Sequence, residues 1–183
     1  MADRKLIKSI YRWRVRSGVF FLLAIILLAR PTWASVGVGI GVCAVGLFVR
    51  AWASGHIKKE KELATTGPYQ YTRNPLYLGN LVMGMSIAIG ANSLWGAAVF
   101  AAYFLVFYPP VIREERERMK RLFPGQYQEY KTRVPLFFPT KKPAAQPDGT
   151  RFSWFLYKKN KEFRALVGSA VVWAIIVAKL LIF

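Results

Sequence analysis

The sequence predicts an all-α fold: a polytopic bundle of about five transmembrane helices, with a polar loop and helix gathered on its cytoplasmic side. Two observations carry that expectation. Residues 17–29, 31–49, 74–112 and 165–178 hold no charged side chain, in a chain of 183 residues that is 54% hydrophobic. A soluble protein of this length can hardly bury so much apolar chain. The basic residues are also unevenly placed: 24 of the 27 Lys and Arg fall within residues 1–16, 58–73 and 113–164. The turns on the other side carry only Arg30. Cytoplasmic loops collect Lys and Arg, so those three segments and the N-terminus are assigned to the cytoplasm and the C-terminus to the outside.

Residues 1–16 read as a basic amphipathic lead-in, with Arg4, Lys5, Lys8, Arg12, Arg14 and Arg16 suited to an anionic leaflet. Ser17–Ala29 is short for a span. It crosses only if Arg30 snorkels and the helix runs on toward Trp33. Pro31–Val49 is the second span, with Pro31 in its first turn. Its "VGVGIG" run offers Gly37 and Gly41 for close helix packing. Residues 74–112 are long enough for two spans joined by a tight turn at Ala91-Asn92-Ser93. Arg113–Arg121 carries the fourth helix into the cytoplasm, with Glu114 facing Arg118 and Glu117 facing Arg121. Pro124-Gly125 breaks and restarts the helix, and residues 133–149, with four prolines, read as a linker. Arg151–Arg164 is a basic, aromatic interfacial helix leading into a fifth span, Ala165–Phe183, with Lys179 near its end. The domain reading is therefore a basic segment at 1–16, a membrane core at 17–139, and a linker, interfacial helix and final span at 140–183. No signal peptide is expected. The chain is expected to be an integral protein of the cytoplasmic membrane if bacterial.

A net charge of +18 taken alone suits nucleic acid, but the apolar runs turn those cations toward anionic lipid and exclude a nucleic-acid partner. Cys43 is the single cysteine, which rules out an internal disulfide and a cysteine zinc site. His56 is the single histidine, which excludes a multi-histidine metal site within one chain, and no metal is expected. His56 stands at the cytoplasmic end of the second span. A general base and a plain interfacial histidine are both open readings.

The stretch "TTGPYQYTRNPLYLGN", residues 65–80, is polar and sharply bent between two apolar runs. Gly67-Pro68 and Asn74-Pro75 are turn signals, and Pro75 suits the first position of the third span. That helix then aims its N-terminal N–H groups and positive dipole end at the loop, a place for a carboxylate or phosphate, with Arg73 beside it. Tyr69, Tyr71 and Tyr77 offer aromatic faces to a cation. Glu114 and Glu115 emerge on the same side and can accept from hydroxyls or an ammonium group. These are the parts a zwitterionic sulfonium nucleoside needs. An interfacial tyrosine belt explains the same tyrosines without a ligand.

"ELATTGPYQYTRNPLYLG" (62–79) followed by "EERERMKRLFPGQYQEYKTRVP" (114–135) resembles the isoprenylcysteine carboxyl methyltransferase family. That family lies within a wider group of membrane methyltransferases that includes phospholipid N-methyltransferases. The likeness spans roughly Arg50 to Pro139. It implies a transmembrane helix bundle with a cytoplasmic cofactor-binding loop and helix, S-adenosylmethionine as cofactor, and a lipophilic or lipid-linked acceptor. It places the cofactor contacts on Lys61, Glu62, Leu63, Ala64, Tyr69, Asn74, Pro75, Leu76, Tyr77 and the acidic pair Glu114 and Glu115. Arg73 matches the arginine of the family's Arg-His-Pro motif and, with His56, is a candidate catalytic residue. Asn74 stands where the family has histidine. Asn cannot take up a proton at neutral pH, so that position keeps a binding role rather than a base's.

The implied reaction is direct methyl transfer, with a carboxylate (isoprenylcysteine-like) as the favoured acceptor and a phospholipid amine as the alternative. A carboxylate needs no base at pH 7; an amine does. Two other readings remain open at this point: a non-enzymatic basic membrane scaffold, and a nicotinamide-dependent membrane reductase using Lys58, Lys59 and Lys61 for phosphate.

Overall fold

The computed structural model describes residues 2–58, 61–141 and 151–182, without the side chains of 2–12, 14 and 15. The expectations for the cations at 4–14, for Lys59 and for residues 142–149 of the linker therefore lie outside the described residues. Among the described residues, seven α-helices follow in order: α1 (Ala2–Leu28), α2 (Trp33–Ser54), α3 (Pro75–Ala91), α4 (Leu94–Leu122), α5 (Pro124–Arg133), α6 (Trp154–Lys159) and α7 (Phe163–Ile182). A 3-10 turn, Gly67–Gln70, lies between α2 and α3. Among the described residues there is no strand.

Three of these helices, α2, α4 and α7, are long and apolar enough to cross a membrane. Two shorter apolar stretches accompany them, Arg16–Leu28 within α1 and α3 itself. Phe20, Leu27, Phe48, Leu105, Val106 and Leu181 stand exposed on these helices. Such surface suits lipid and not water.

The helix boundaries correct the sequence reading in two places. α1 does not run on past Arg30. It ends at Leu28 and gains its length at the other end, since its backbone is continuous from Ala2. The Arg30 N–H donates to the carbonyl of Ala91 at 2.7 Å, which ties the first turn to the third. Nor is Pro31 in the first turn of α2. Thr32 is the N-cap, and Ser35 three residues on completes a capping box, with its N–H on Thr32 Oγ1 at 3.1 Å and its hydroxyl accepting the Thr32 N–H at 2.9 Å. Serine can serve in place of the usual Glu or Gln because it returns the same bond to the cap.

The bundle is organised around a close α2–α3 pair. A Cβ on Gly39 would lie 2.9 Å from Ser86 O and 3.1 Å from Gly90 N, and one on Gly46 would lie 2.9 Å from Met83 N and 3.0 Å from Gly79 O. Backbones that near are held by dispersion between small residues, the principal means of helix association in lipid. The expected pair, Gly37 and Gly41, faces open space, with nothing within 4 Å of where a Cβ would stand. The packing stripe lies on a different face of the helix, set by Val36, Gly39, Cys43 and Gly46 at helical spacing. α7 adds Trp173 and Ile176 to the cluster of Val36 and Cys43. α1 packs on α4 through Phe21, 5.2 Å from Tyr103 between ring centroids, and Ile25 joins Ala29 and Ala91 in a second cluster. Lys179 Nζ donates to the carbonyls of Ile26 and Leu27, both at 2.8 Å, and so caps the C-terminal end of α1.

Candidate functional site

The other end of the bundle holds a cavity of about 360 Å³. The chain reaches it from α2 through a short loop. Gly67 has φ of 59°, a conformation costly for a side-chain-bearing residue, and any Cβ there would strike the His56 ring at 2.6 Å. Glycine at 67 thus lets the 3-10 turn fold flat over His56 and present Tyr69 to the cavity. Tyr69 is almost wholly buried, and Tyr130 of α5 donates its hydroxyl to the Tyr69 carbonyl at 2.6 Å. The loop is also strapped from above by residues 134–138. Arg73 N–H donates to Pro135 O at 3.0 Å and Asn74 Nδ2 to Leu136 O at 2.8 Å.

The cavity wall draws on both sequence motifs. Glu62, Leu63, Ala64, Tyr69, Arg73, Asn74, Pro75, Leu76 and Tyr77 come from the first, and Glu115 from the second. Arg73 spans the gap between them: its Nη1 donates to the Tyr127 hydroxyl at 3.0 Å. Two polar atoms in this wall are buried without a hydrogen-bond partner among the described residues, the Tyr69 hydroxyl and Arg73 Nε. Orphaned donors in a cavity wall are what a polar ligand satisfies. Burial pushes the Tyr69 and Tyr130 hydroxyls well above the usual phenol value, with neighbouring charges and hydroxyls adding smaller shifts, so both stay protonated.

The structure does not bring every candidate to this cavity. Lys61 is exposed and off the wall. Glu114 turns away from Glu115: it pairs with Arg121 at 3.1 Å and lines a separate groove with Pro109, Pro110 and Arg113. Adjacent helix residues point about 100° apart, and that step takes Glu114 out of the wall while Glu115 and its other neighbour, Arg116, line it. The expected pairing of Glu117 with Arg121 is replaced by Lys120 at 2.8 Å and Arg116 at 3.1 Å. His56 is buried behind the 3-10 turn, with Nδ1 3.2 Å from Thr66 Oγ1, and does not line the cavity. Desolvation lowers its pKa, which keeps the ring neutral. The N-terminus of α3 is partly occupied, because the N–H of Tyr77, one of its free groups, donates to Asn74 O at 3.1 Å. Lys58 is paired with Glu62 at 2.9 Å.

Sequence reasoning missed Arg50, Asn80, Met119, Tyr127 and Tyr130 in the wall. Arg50 carried a usable signal, as a lone charge near the end of an apolar span. Tyr127 and Tyr130 sit three apart, the spacing of one helix face. Residues 151–164, assigned only an anchoring part, reach the site through Arg50. Glu162 grips Arg50 with both oxygens, at 2.6 and 3.0 Å. Among the described residues, no three His, Cys, Asp or Glu side chains gather as metal ligands would.

A family model described as phospholipid methyltransferase matches residues 21–126. The chain is 33% identical over 136 residues to the nickel-cobalt-cadmium resistance protein NccN of Alcaligenes xylosoxydans xylosoxydans, covering 69% of this chain and 62% of that one. It is 35% identical over 139 residues to the cobalt-zinc-cadmium resistance protein CzcN of Cupriavidus metallidurans, with the same two shares, 69% and 62%. A third relative is protein-S-isoprenylcysteine O-methyltransferase B of Arabidopsis thaliana, 33% identical over 85 residues, covering 45% of this chain and 43% of that one. The chain thus spans under two thirds of the length of the relatives it matches. No solved structure matches.

Proposed function

The chain belongs to the phospholipid methyltransferase family, and from that premise we propose that it moves a methyl group from S-adenosylmethionine to a lipophilic acceptor at the membrane surface. The observation that carries this reading is the meeting of Tyr69 and the 73–77 run with Glu115 in one cavity. The volume falls in the range of small-molecule sites. The donor set also fits the cofactor. Arg73, with its unpartnered buried Nε, suits the carboxylate of the amino-acid part. Glu115 and Glu62 suit the ammonium and ribose hydroxyls, and the rings of Tyr69, Tyr77 and Tyr127 suit a sulfonium. When bound, S-adenosylmethionine supplies an electrophilic methyl group.

The chain's own residues then orient and shield. Tyr69 and Tyr130 remain protonated donors, and Asn74 is already committed to Leu136 O, so its part is to hold the strap over the loop. No histidine lines the cavity. An acceptor already ionised at pH 7 suits such a wall, which favours a carboxylate of the isoprenylcysteine kind over a phospholipid amine. Positioning is then the main contribution, up to about 7–11 kcal/mol where geometry is ideal.

We place five helices, α1, α2, α3, α4 and α7, across the bilayer, with the N-terminus and the cavity on the cytoplasmic side of an inner membrane. The charge asymmetry of the loops supports that orientation. Exposed Arg151, Lys158, Lys159, Lys161 and Arg164, among exposed Trp154, Phe155 and Phe163, suit anionic headgroups.

Titration calorimetry of the full chain in micelles against S-adenosylmethionine tests the cofactor. Labelled methyl transfer into a total lipid extract tests the acceptor. Saturable binding and one labelled carboxyl ester are expected. A folded protein that binds no cofactor and labels nothing removes the proposal, and label in a headgroup amine replaces the acceptor.

A further inference from the structure

The ion pair between Arg50 and Glu162 joins two parts of the chain that lie 112 residues apart. Glu162 is 8% exposed and Arg50 18%. Arg50 uses every edge of its guanidinium. Nε and Nη2 go to the two carboxylate oxygens, while Nη1 donates to Asn80 Oδ1 and, at 3.4 Å, to the carbonyl of Leu76. Leu76 and Asn80 belong to the first turns of α3, and both line the cavity with Arg50 itself. Gly79 lies under the Arg50 side chain, where a Cβ would collide with its Cγ.

The same segment clasps the end of α2. Asn160 Nδ2 donates to Ser54 O at 2.9 Å and to Ile57 O at 3.1 Å, and the Ser153 N–H donates to Gly55 O at 3.1 Å. Ile57 is another cavity residue. The family match ends at residue 126, so this clasp is built from chain beyond it.

We propose that Glu162 is a positioning residue for the cavity: acting through Arg50, it fixes the first turns of α3 against α2, and thereby the wall that Leu76 and Asn80 form. A planar guanidinium held by a bidentate carboxylate has one orientation, and its remaining N–H edge is then aimed at α3. Without the carboxylate, Arg50 is a half-buried cation with lost partners. It rotates toward water and releases Leu76 O and Asn80. The part of this inference that concerns ligand affinity rests on the methyltransferase reading; the part that concerns α3 does not.

The test uses the full chain in micelles with two readouts, hydrogen exchange by mass spectrometry and calorimetric affinity for S-adenosylmethionine. Glu162→Gln keeps the shape and removes the charge. Exchange in peptides covering 75–80 is expected to quicken, and affinity to fall about tenfold, as expected for loss of one charge-assisted contact set. The charge swap, Arg50→Glu with Glu162→Arg, separates positioning from docking. It restores attraction between α2 and the 151–164 segment but leaves no donor for Leu76 O and Asn80 Oδ1. Protection of α7 peptides should return while 75–80 stays fast and affinity stays low. Should Glu162→Gln quicken exchange only in 151–182, or should the swap restore affinity, Glu162 merely docks the last helix and the inference is overturned. If Glu162→Gln does not fold, Asn80→Ala replaces it. Faster exchange at 75–80 with α7 unchanged supports the inference, and unchanged exchange at 75–80 overturns it. A wild-type chain that binds no cofactor sinks the methyltransferase reading alone, because the exchange arm still decides the clamp.

Discussion

The Tyr130 hydroxyl donates to the carbonyl of Tyr69 at 2.6 Å, while the Tyr69 hydroxyl itself has no partner among the described residues. The two phenols therefore do different work, and substitution separates them. Tyr130→Phe leaves a buried carbonyl unsatisfied, which costs about 1–3 kcal/mol of stability. Tyr69→Phe removes an atom that is already orphaned, so the ligand-free protein should hold its stability or gain slightly. Its affinity for S-adenosylmethionine should fall several-fold. Thermal unfolding of both variants with and without cofactor checks the pair. Equal stability losses in the two would show that the Tyr69 hydroxyl has a structural partner and no ligand.

His56 gives the fold an acid sensitivity. Burial lowers its pKa, so the folded protein holds the ring neutral where the unfolded chain has begun to take up a proton. The unfolded state thus binds more protons below about pH 6.5, and stability falls as pH drops from there through the lower folded value. His56→Gln should flatten the unfolding curve between pH 7 and 5. Because the ring stands behind Gly67 and off the cavity wall, the same variant should keep its cofactor affinity at pH 7.5 within about threefold, under one kcal/mol. A much larger loss, measured by calorimetry, would return His56 to the site.

The glutamate pair offers a sharper contrast. Glu115 lines the cavity and Glu114 does not, although the residues are neighbours. Glu114 pairs with Arg121, which is 63% exposed, and a surface pair of this kind contributes about 0–1 kcal/mol. Glu114→Ala should therefore leave cofactor affinity unchanged and shift stability little. Glu115→Ala should weaken binding tenfold or more, about 1.4 kcal/mol or above. Equal affinity losses in the two variants would mean that the helix end rotates on binding.

Much of this architecture is readable from residue order. The uncharged runs locate the apolar helices because hydrocarbon tolerates no bare charge, and Asn92 takes the left-handed turn that ends α3, with φ of 47°. The paired motifs point to one cavity because two distant polar segments flank the same helical hairpin. What remained hidden depends on rotation about a helix axis or on partners far along the chain. Whether Glu114 or Glu115 faces inward is a matter of about 100°, and polar neighbours give no periodicity to fix it. Glu162 reads as one acid among surface cations, since nothing local marks its partner as Arg50, 112 residues earlier. His56 attracted a catalytic role by being alone, whereas its place was decided by the glycine beneath which it folds.

The glycines of α2 supply a last expectation, in which identical substitutions have opposite signs. Gly39 and Gly46 face α3, where added Cβ atoms would meet Ser86 O at 2.9 Å and Met83 N at 2.9 Å, both backbone atoms that cannot step aside. Gly39 also lies beneath Trp173 of α7, so its substitution displaces two helices. Overpacking of this sort costs about 1–3 kcal/mol. Gly37 and Gly41 have nothing within 4 Å, and both are interior to the helix. Alanine there removes conformational freedom from the unfolded chain without a clash and should add stability, up to about 0.5–1 kcal/mol. Gly39→Ala and Gly46→Ala should thus unfold at lower temperature than the parent in the same micelles, and Gly37→Ala and Gly41→Ala at the same or higher temperature. Because α3 begins at the cavity wall, the first two should also weaken cofactor binding. Should Gly37→Ala or Gly41→Ala prove the destabilising pair, α2 is rotated from its assigned face, and with it Arg50 leaves the cavity.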